Sequence, residues 1–430
     1  MSEPFKIGLA GLGTVGIGVV KILQNHADVI SKRAGRPIEI IAVSARDKNK
    51  DRGVDLSAYE WVDDFTKMSS HNDLDMIVEM IGGSDGAVKE LVEASIDNNK
   101  HVVTANKALL AHHGAALAKV ADAKGVSVGY EAAIAGGIPI VKAMREGLVG
   151  NKIEAVYGIL NGTCNYILTE MRETGRDFDD VLKEAQEKGY AEADPTFDVD
   201  GIDAAHKLTL LTALGFGVEL DFESLSITGI REISASDIAF AKELGFKIKL
   251  LGIAKQVEGK ILQSMEPCLV PMSGPMASVE GVFNAVHVKG DFVNKIMLEG
   301  PGAGEGPTAS AIVSDIIDIA RGNRPPIFGI SSEQLQKAEW ASNNDIQSRF
   351  YIHLEVNDVS GVVADVTAIL KSHDVSIQKM LQPDPNADGT ASIVMITHET
   401  AYKEMRSGLE ELSTLSTLIQ APKLLRLEDV

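Results

Sequence analysis

FKIGLAGLGTVG, residues 5–16, is the stretch that decides the fold class. Its apolar start, Phe5–Ala10, predicts a short parallel strand that is buried on both faces. A helical pattern runs from Ile17 to Leu23, directly after the glycines. Strand, tight turn and helix in this order predict a doubly wound α/β domain of the Rossmann type.

The turn between strand and helix has the spacing G-x-G-x-x-G, which is informative in this structural context. Gly11 permits the sharp turn, Gly13 leaves space for a pyrophosphate, and Gly16 allows close packing of helix on strand. Thr14 and Val15 place their N–H groups at the helix N terminus, where phosphates bind. The pattern therefore favours a dinucleotide-binding loop over a glycine-rich turn of another α/β protein.

The loop after the second predicted strand bears on the choice of cofactor. Ile38–Val43 is that strand, and Ser44-Ala45-Arg46 follows it. An NAD-selective site usually has an acidic residue there for the ribose hydroxyls, whereas a guanidinium suits a 2′-phosphate. Arg46 therefore favours NADP, with NAD as the alternative cofactor and a solvated loop charge as the alternative role.

Composition excludes several classes of protein. The 430 residues are 45% hydrophobic and 24% charged, which indicates two or three globular domains rather than disorder or coiled coil. A net charge of −20 disfavours nucleic acid and anionic membranes as partners. No apolar run is long enough to span a membrane, and the N terminus does not resemble a signal peptide. Two unpaired cysteines provide neither a disulfide framework nor a zinc site. We expect a cytoplasmic protein.

Two further strand ends are candidate ligand loops, because ligands bind outside the carboxyl ends of parallel strands. Leu74–Met80 ends at a turn that contains Gly82, and His101–Thr104 ends just before Lys107. Lys107 opens a predicted helix, where the helix dipole disfavours a cation. It is therefore either solvated or held at a functional site.

The helix Ile202–Leu214 follows a loop rich in carboxylates, Tyr190–Gly201. Its residues are apolar nearly all round, which predicts a buried helix. Asp203 and Lys207 lie four residues apart on one face, and a buried ion pair is costly without a function. We favour a ligand-facing pair over a surface pair, with Lys107 as a second ammonium group facing the same small substrate.

Two other stretches also have the character of site loops. LNGTCN, residues 160–165, lies between a strand pattern and a helix, and GPGAGEGPT, residues 300–308, precedes the predicted helix Ala309–Ala320. The second loop is expected to close over the cofactor. Cys164 has no histidine nearby in sequence, so a packing role is favoured over a nucleophile. The histidine spacing indicates no transition-metal site.

The pattern changes near the C terminus. Arg349–Val356 alternates strictly, which predicts a strand with one buried face. A helix, two strands, a second helix and a last strand follow it. The order βαββαβ is ferredoxin-like.

The predicted organisation is therefore an α/β protein of three domains. Residues 1–135 form the Rossmann domain, and 136–321 form an α+β domain, to which the family resemblance given below assigns catalysis and dimerisation. Within the latter, 300–321 are expected to pack back on the first domain. Residues 322–347 form a linker, and 348–430 form the ferredoxin-like domain, whose regulatory role is likewise implied by a resemblance.

The chain resembles homoserine dehydrogenase along its entire length. The motifs that carry the resemblance are GLGTVG (11–16), TANKALLA (104–111), YEAAIAGGIPI (130–140), LNGTCNYIL (160–168), GYAEADPTFDVDGIDAAHKL (189–208) and GPGAGEGPTASA (300–311). The last three are far more specific than a glycine-rich loop. The resemblance implies NAD(P)-linked, reversible interconversion of L-aspartate 4-semialdehyde and L-homoserine. The chain contains no aspartate-kinase segment, so we expect a monofunctional enzyme.

The resemblance also implies roles for individual residues. Lys207 matches the usual proton donor, and Lys107 lies beside the nicotinamide. The substrate-binding positions are Gly189, Glu192, Asp198 and Asp203. The cofactor-binding positions are Gly11, Gly13, Thr14, Val15, Gly16, Arg46, Gly82, Lys107, Gly302 and Glu305.

A monovalent cation is implied as well. The YEAAIAGGIPI turn resembles the family's sodium site, which is built mainly of backbone carbonyls. The matching positions here are Glu131, Ile134, Gly136 and Ile138. Oxygen-only ligation suits a hard cation.

The C-terminal module resembles an ACT domain, a type that pairs across subunits and binds an amino acid. Its ligand loop contains Asn357, Asp358 and Gly361. The expected effector is L-threonine, and the expected assembly is a homodimer or homotetramer. The alternative is an oligomerisation module that binds no ligand.

Two rival functions remain open at this point. One is an aldehyde dehydrogenase that works through a Cys164 thiolate. The other is an amino-acid sensor that binds a nucleotide but performs no chemistry. The Lys107, Asp203 and Lys207 set argues against the sensor.

Overall fold

The computed structural model describes residues 3–430. The strands are β1 (Phe5–Ala10), β2 (Ile38–Ser44), β3 (Glu60–Trp61), β4 (Met76–Glu79), β5 (His101–Thr104), β6 (Val128–Gly129), β7 (Ile153–Ile159), β8 (Ser226–Ile227), β9 (Phe246–Val257), β10 (Lys260–Pro271), β11 (Phe283–Gly290), β12 (Asn294–Pro301), β13 (Gln347–Ser348), β14 (Phe350–Asn357), β15 (Ile377–Leu381), β16 (Thr390–Thr397), β17 (Thr400–Ala401) and β18 (Lys423–Leu427). The helices are α1 (Thr14–Asn25), α2 (Ala27–Ala34), α3 (Ala87–Asp97), α4 (Lys107–Lys124), α5 (Ala132–Ala135), α6 (Ile140–Lys142), α7 (Gly162–Thr174), α8 (Phe178–Glu187), α9 (Thr196–Val199), α10 (Ile202–Phe216), α11 (Ala235–Glu243), α12 (Glu305–Ala320), α13 (Val362–Ser372) and α14 (Tyr402–Leu412). None of the helices within residues 3–430 has both the length and the apolar composition needed to cross a membrane.

The chain forms two compact units, and each is assembled from three separate segments. The first unit comprises the described residues up to Gly162, together with 203–225 and 282–338. The second comprises 163–202, 226–281 and 339–430. The units are therefore interleaved along the chain. The predicted domain boundaries after residues 135, 321 and 347 remain predictions.

The first unit contains a six-stranded parallel sheet in the order β3-β2-β1-β4-β5-β6. This is the strand order of a dinucleotide-binding Rossmann domain. Every residue of β4 and β5 is buried, as expected for parallel strands with helices on both faces. The prediction of a doubly wound α/β domain is confirmed.

Helix α12 packs against α1 within this unit. Gly18 allows the close approach, since a β-carbon added there would lie 2.7 Å from the Glu305 carbonyl oxygen and 2.9 Å from the Ala309 β-carbon. The helix begins at Glu305, four residues before its predicted start at Ala309. Pro307 is the third residue of the helix, and proline is tolerated in the first turn, where its missing N–H needs no partner.

The second unit contains a β9–β10 antiparallel pair and a C-terminal module. The module has the element order β14-α13-β15-β16-α14-β18 and the sheet order β18-β14-β16-β15. This is the predicted βαββαβ series. The four predicted core residues of β14 are buried in one apolar cluster: Phe350, Ile352, Leu354 and Val356.

On the other face of β14, Tyr351 and His353 are also buried, contrary to the one buried face predicted from its alternation, whereas Asn357 at the end of the strand is exposed. Asp237, a fully buried residue of α11, accepts hydrogen bonds from the Tyr351 hydroxyl (3.1 Å) and the Lys423 ammonium (2.7 Å), and its Oδ1 lies 2.7 Å from His353 Nδ1. Burial raises the pKa of Asp237, but hydrogen bonds from His353, Lys423 and Ser234 hold it well below its usual range. An anchoring carboxylate from a distant helix therefore covers this face.

Candidate active site

The glycine-rich loop joins β1 to α1. Gly11 has φ +106°, and a β-carbon added at Gly16 would lie 2.1 Å from the Gly11 carbonyl oxygen. Both glycines are therefore required by the packing of the protein itself. At Gly13, by contrast, no atom of the described chain apart from the adjoining residues lies within 4 Å of the added carbon, and no described side chain caps α1. The loop thus leaves space at a helix N terminus beside Thr14 and Val15, which fits a dinucleotide pyrophosphate.

The end of β2 adjoins this loop, because the Gly11 N–H donates to the Ser44 carbonyl (2.9 Å). Arg46 is exposed two residues beyond the strand. Arg52, which the sequence did not single out, donates to the carbonyls of Leu12 (3.3 Å) and Asp47 (2.5 Å). Arg52 therefore holds the loop that carries Arg46 against the glycine-rich loop.

A buried carboxylate, Glu79, shapes the next two strand ends. It accepts hydrogen bonds from the N–H groups of Ile81 (2.7 Å) and Gly82 (2.9 Å) and from the Thr104 hydroxyl (2.6 Å). Gly82 has φ +87°, and no atom among residues 3–430 lies within 4 Å of a β-carbon added there. Glu79 therefore ties the Gly82 loop to the end of β5. The sequence signal that could have identified Glu79 is an ionisable residue at the end of an otherwise apolar strand.

Asn106 makes a second tie between these loops. Its side-chain oxygen caps α4 by accepting from the Leu109 N–H (3.1 Å), and its Nδ2 donates to the Gly83 carbonyl (2.6 Å). Asparagine directly before a helix is a common N-cap, so this role was accessible from the sequence. The cap fixes Lys107 as the first residue of α4.

Asp203 brings the two candidate lysines together. Its Oδ1 lies 2.9 Å from Lys107 Nζ, and its Oδ2 lies 2.7 Å from Lys207 Nζ. Lys207 also donates to the Leu160 carbonyl (2.7 Å), and Asn161 Nδ2 donates to Asp203 Oδ2 (3.0 Å). The side chains of Asp203 and Lys207 are only 7% and 11% exposed, whereas that of Lys107 is 33% exposed. The i,i+4 pair is therefore buried, with one more accessible ammonium beside it.

The cluster carries a surplus of positive charge. Burial raises the pKa of Asp203, but Lys207 and Lys107 together hold it well below its usual range. One carboxylate thus faces two ammonium groups. His206 adds no charge at neutral pH, because burial, assisted by His112, lowers its pKa to about 4. A site with one excess positive charge is suited to stabilising a developing oxyanion.

Comparison with known proteins identifies the family. Two family models match the chain: "Homoserine dehydrogenase, NAD binding domain" over residues 11–131 and "Homoserine dehydrogenase" over residues 139–317. The chain belongs to the homoserine dehydrogenase family. It is 42% identical to the homoserine dehydrogenase of Neisseria gonorrhoeae, over 100% of this chain and 99% of the relative.

Solved structures of homoserine dehydrogenases are also similar to this chain. That of Thiobacillus denitrificans has a TM-score of 0.92 at 42% identity and covers 99% of both chains. A hyperthermophilic archaeal homoserine dehydrogenase, solved in complex with NADPH, has a TM-score of 0.64 at 25% identity and covers 74% of this chain and 97% of its own. The protein is thus an oxidoreductase of amino-acid biosynthesis with a nicotinamide cofactor and small-molecule substrates.

Three of the predicted substrate-binding positions lie in the second unit. Gly189 follows α8 with φ +74°, Glu192 is exposed, and Asp198 lies in α9. The Asp198 carbonyl accepts a hydrogen bond from the Cys164 thiol (3.2 Å), and Cys164 is fully buried. Burial favours the packing role for Cys164 over that of a reactive thiolate.

The proposed cation turn is organised by a buried carboxylate. Glu131 accepts from the N–H groups of Val141 (2.8 Å) and Lys142 (2.9 Å), and burial together with Asp315 raises its pKa to about 7. Gly136 has φ +57°. Within residues 3–430, no group of three or more His, Cys, Asp and Glu side chains is arranged to hold a metal ion. A cation here would therefore depend on backbone carbonyls.

Four other predicted positions, one for the cofactor and three for the effector, have local roles in the structure. Glu305, predicted to bind the cofactor, accepts from Lys21 Nζ (2.6 Å) across the α1–α12 contact. Asp358 is exposed, and its N–H donates to the Gly389 carbonyl (2.9 Å). Gly361 precedes α13 with φ +100°, and the Asn357 N–H donates to the Thr417 carbonyl (2.8 Å). The predicted effector loop is thus held at its N-terminal end, at Asn357 and Asp358, by backbone hydrogen bonds.

Proposed function

We propose that this chain reversibly reduces L-aspartate 4-semialdehyde to L-homoserine by direct hydride transfer from NADPH, with Lys207 as the proton donor. The observation that carries the proposal is the Lys107–Asp203–Lys207 cluster, which lies in the same compact unit as the glycine-rich loop. Such a cluster supplies what carbonyl reduction requires beyond the hydride, namely positive charge and a proton.

The residues divide the work as follows. When bound, the nicotinamide supplies the hydride. Lys207 Nζ gives a proton to the oxygen on which charge develops, while the Leu160 carbonyl and the Asp203 carboxylate hold the ammonium in place. Lys107, the more exposed ammonium, faces the same oxygen beside the nicotinamide. In the direction of homoserine oxidation, the same groups accept the proton.

Substrate recognition is assigned to carboxylates. Glu192 and Asp203 are assigned to the charged ends of the amino acid, and Asp198 and Gly189 are assigned as further substrate-binding positions. Support comes from the exposure of Glu192 and from the positive φ of Gly189, which suits a close backbone approach.

A single assay tests the function. NADPH consumption is followed with aspartate 4-semialdehyde as the only added substrate. Sustained turnover supports the proposal, and its absence in a correctly folded protein favours an amino-acid sensor. Cys164→Ser separates the remaining rival, because aldehyde oxidation through a Cys164 thiohemiacetal, which passes its hydride to NADP+, would stop, whereas direct hydride transfer from NADPH to the aldehyde would continue at near-normal rates.

We expect Arg46→Glu to change cofactor selectivity. The ratio of kcat/KM with NADPH to kcat/KM with NADH should fall about 10–100-fold, because a charged hydrogen-bond partner of the 2′-phosphate is replaced by a repelling carboxylate. Steady-state kinetics with both cofactors measure the ratio. Lys32→Glu, an exposed position on α2 with the same charge change, is the control and should leave the ratio unchanged. An unchanged ratio in Arg46→Glu would show that Arg46 takes no part in selectivity.

A sodium ion is proposed at the turn after α5, held by the carbonyls of Glu131, Ile134, Gly136 and Ile138. The positive φ of Gly136 and the hard oxygen donors support this assignment. The ion would order the turn.

The C-terminal module is proposed to be an ACT domain that binds L-threonine and regulates the enzyme within a homodimer or homotetramer. Its support is the βαββαβ order and the loop of Asn357, Asp358 and Gly361. For the regulation to be allosteric, threonine must prefer one arrangement of the module, and that arrangement must disfavour substrate or cofactor.

Asp358→Ala in the full chain should raise the threonine concentration for half-inhibition at least tenfold, roughly the loss of one charged hydrogen bond, with basal turnover unchanged. Inhibition curves measure this. Asp384→Ala, an exposed carboxylate of the same module, is the matched control. Isothermal titration of the intact enzyme without any heat of threonine binding would contradict the proposal. Truncation after Asn344 is a poorer test, because it removes three partners of the buried Asp237.

A further inference from the structure

Asn284 is a buried polar residue whose side chain has no hydrogen-bond partner in the part of the chain that the structure describes. It is the second residue of β11 and pairs in register with Gly300 of β12. Its side chain belongs to a residue that is 1% exposed, and neither Oδ1 nor Nδ2 finds a partner among residues 3–430. Buried amides are nearly always satisfied, so an unsatisfied one in a native fold requires an explanation.

The carboxamide lies where two site loops meet. A β-carbon added at Gly302 would lie 2.1 Å from Asn284 Nδ2 and 2.5 Å from Oδ1. One added at Gly162 would lie 3.5 Å from the same Oδ1. A third loop is adjacent, because a carbon added at Gly136 would lie 2.3 Å from the Gly302 carbonyl oxygen. All four residues belong to the first compact unit.

The three glycines come from three different candidate site motifs. Gly302 lies in GPGAGEGPT, Gly136 in the proposed cation turn, and Gly162 in LNGTCN. Leu160 and Asn161, which immediately precede Gly162, bond to Lys207 and Asp203. A movement of the Gly302 loop that shifts Gly162 therefore acts within two residues of the groups that hold the ammonium cluster.

We propose that Asn284 is a positioning residue that couples cofactor binding to the geometry of the lysine cluster. When the Gly302 loop closes on the bound dinucleotide, the Asn284 carboxamide completes its hydrogen bonds with the backbone of that loop and of the Gly162 loop. The inference rests on the proposed function only for the role of the cluster, since the nicotinamide cofactor follows from the family.

The proposed coupling requires that the hydrogen bonding of the Asn284 carboxamide differ before and after the cofactor binds. A carboxamide offers two donors and two acceptor lone pairs, which match peptide groups on both sides. Within residues 3–430 these groups are desolvated and have no hydrogen-bond partner, so an arrangement that pairs them is favoured. A ligand that stabilises that arrangement binds more tightly by the free energy recovered. A residue with only a packing role would form no additional hydrogen bonds when the cofactor binds.

The test compares thermal stability with and without cofactor. Asn284→Leu keeps the approximate volume and removes the polar atoms, so the unliganded protein should keep or raise its Tm. Its Tm rise on adding NADPH should be clearly smaller than that of the wild type, and NADPH titration should give a Kd at least about tenfold higher, the scale of one or two hydrogen bonds. Asn284→Asp, which keeps the shape but loses both donors, should give the same direction of change and serves if the leucine variant does not fold.

His287→Phe is the matched control. His287 lies three residues further along β11, is 2% exposed, and both ring nitrogens also lack partners within the described chain. Its ring packs on Tyr157, with centroids 5.9 Å apart, rather than on a site loop. This variant should bind NADPH with the wild-type Kd and show the wild-type Tm rise.

The inference is overturned if Asn284→Leu and Asn284→Asp show the wild-type NADPH-induced Tm rise and Kd. It is also overturned if they lose unliganded Tm while the rise is unchanged, because that result identifies a structural residue only. The readouts are independent of turnover. If the wild type binds NADPH but does not reduce aspartate 4-semialdehyde, the proposed function fails. The coupling through Asn284 is still decided separately, by the NADPH-induced Tm rise and the Kd of the two Asn284 variants.

Discussion

Replacing Lys207 by alanine is expected to lower kcat at least ~100-fold, while the Kd for NADPH stays within about twofold of the wild type. The reason is that Lys207 holds the proton that the product oxygen needs, and general acid catalysis contributes on that scale. The glycine-rich loop is untouched by the substitution, since Lys207 bonds to Asp203 and the Leu160 carbonyl. Steady-state kinetics and a fluorescence titration of NADPH measure the two quantities.

Two variants make the result specific. Lys207→Met keeps the apolar stem but removes the ammonium, so a similar loss of kcat would assign the effect to charge and proton rather than to packing. Lys124→Ala removes a lysine at the opposite end of α4, where it bonds to the Asp97 carbonyl, and should leave kcat unchanged. A kcat within a few-fold of wild type in Lys207→Ala would remove Lys207 from the mechanism.

Asp203→Asn is expected to have the largest combined effect on activity and stability. The unfolding free energy should fall by roughly 3–5 kcal/mol, because two ammonium groups lose a buried negative partner. For the same reason KM for the semialdehyde should rise and kcat should fall, with kcat/KM reduced by at least about 100-fold. Denaturant unfolding and steady-state kinetics measure these changes.

The pH dependence of the difference in unfolding free energy between the wild type and Asp203→Asn provides a second test. The folded-state pKa of Asp203 lies well below that of the unfolded chain, so its stabilising effect is fully present above about pH 4 and is lost as the pH falls below that. The stability gap between wild type and Asp203→Asn should therefore narrow on acidification. Asp200→Asn, a part-exposed carboxylate paired with Arg231, should cost no more than about 1 kcal/mol. Equal stability of wild type and Asp203→Asn at neutral pH would contradict the charge assignment.

What the sequence predicted correctly depends on short-range pattern. The strand, glycine-rich turn and helix of residues 5–23 are contiguous, and the Asp203–Lys207 pair is set by helical periodicity alone. Lys107 could be associated with that pair only by a chemical argument, namely that a lysine at a helix N terminus is disfavoured by the helix dipole unless it has a function. Its 2.9 Å contact with Asp203 needed the tertiary structure.

The missed residues act through contacts between separated segments. Glu79 and Thr104 bond side by side only because β4 and β5 are neighbours in the sheet. Asn284 looks like an ordinary strand residue until its surroundings show that its side-chain amide has no partner within residues 3–430. Likewise, the burial of Tyr351 and His353 on the second face of β14 depends on Asp237, which lies far upstream in the chain. A one-dimensional pattern carries none of these relationships.

The contact of α12 with α1 has a consequence for how the protein is made. Helix α1 ends at Asn25, but its packing partner begins at Glu305, and Gly18 has almost no side chain of its own to cover the groove between them. At about 5–20 residues per second, the ribosome needs on the order of 15–60 s to deliver that partner. During this interval the nascent nucleotide-binding sheet has one apolar surface open to water, to chaperones or to other chains. The N-terminal part of the enzyme therefore completes its fold late in synthesis.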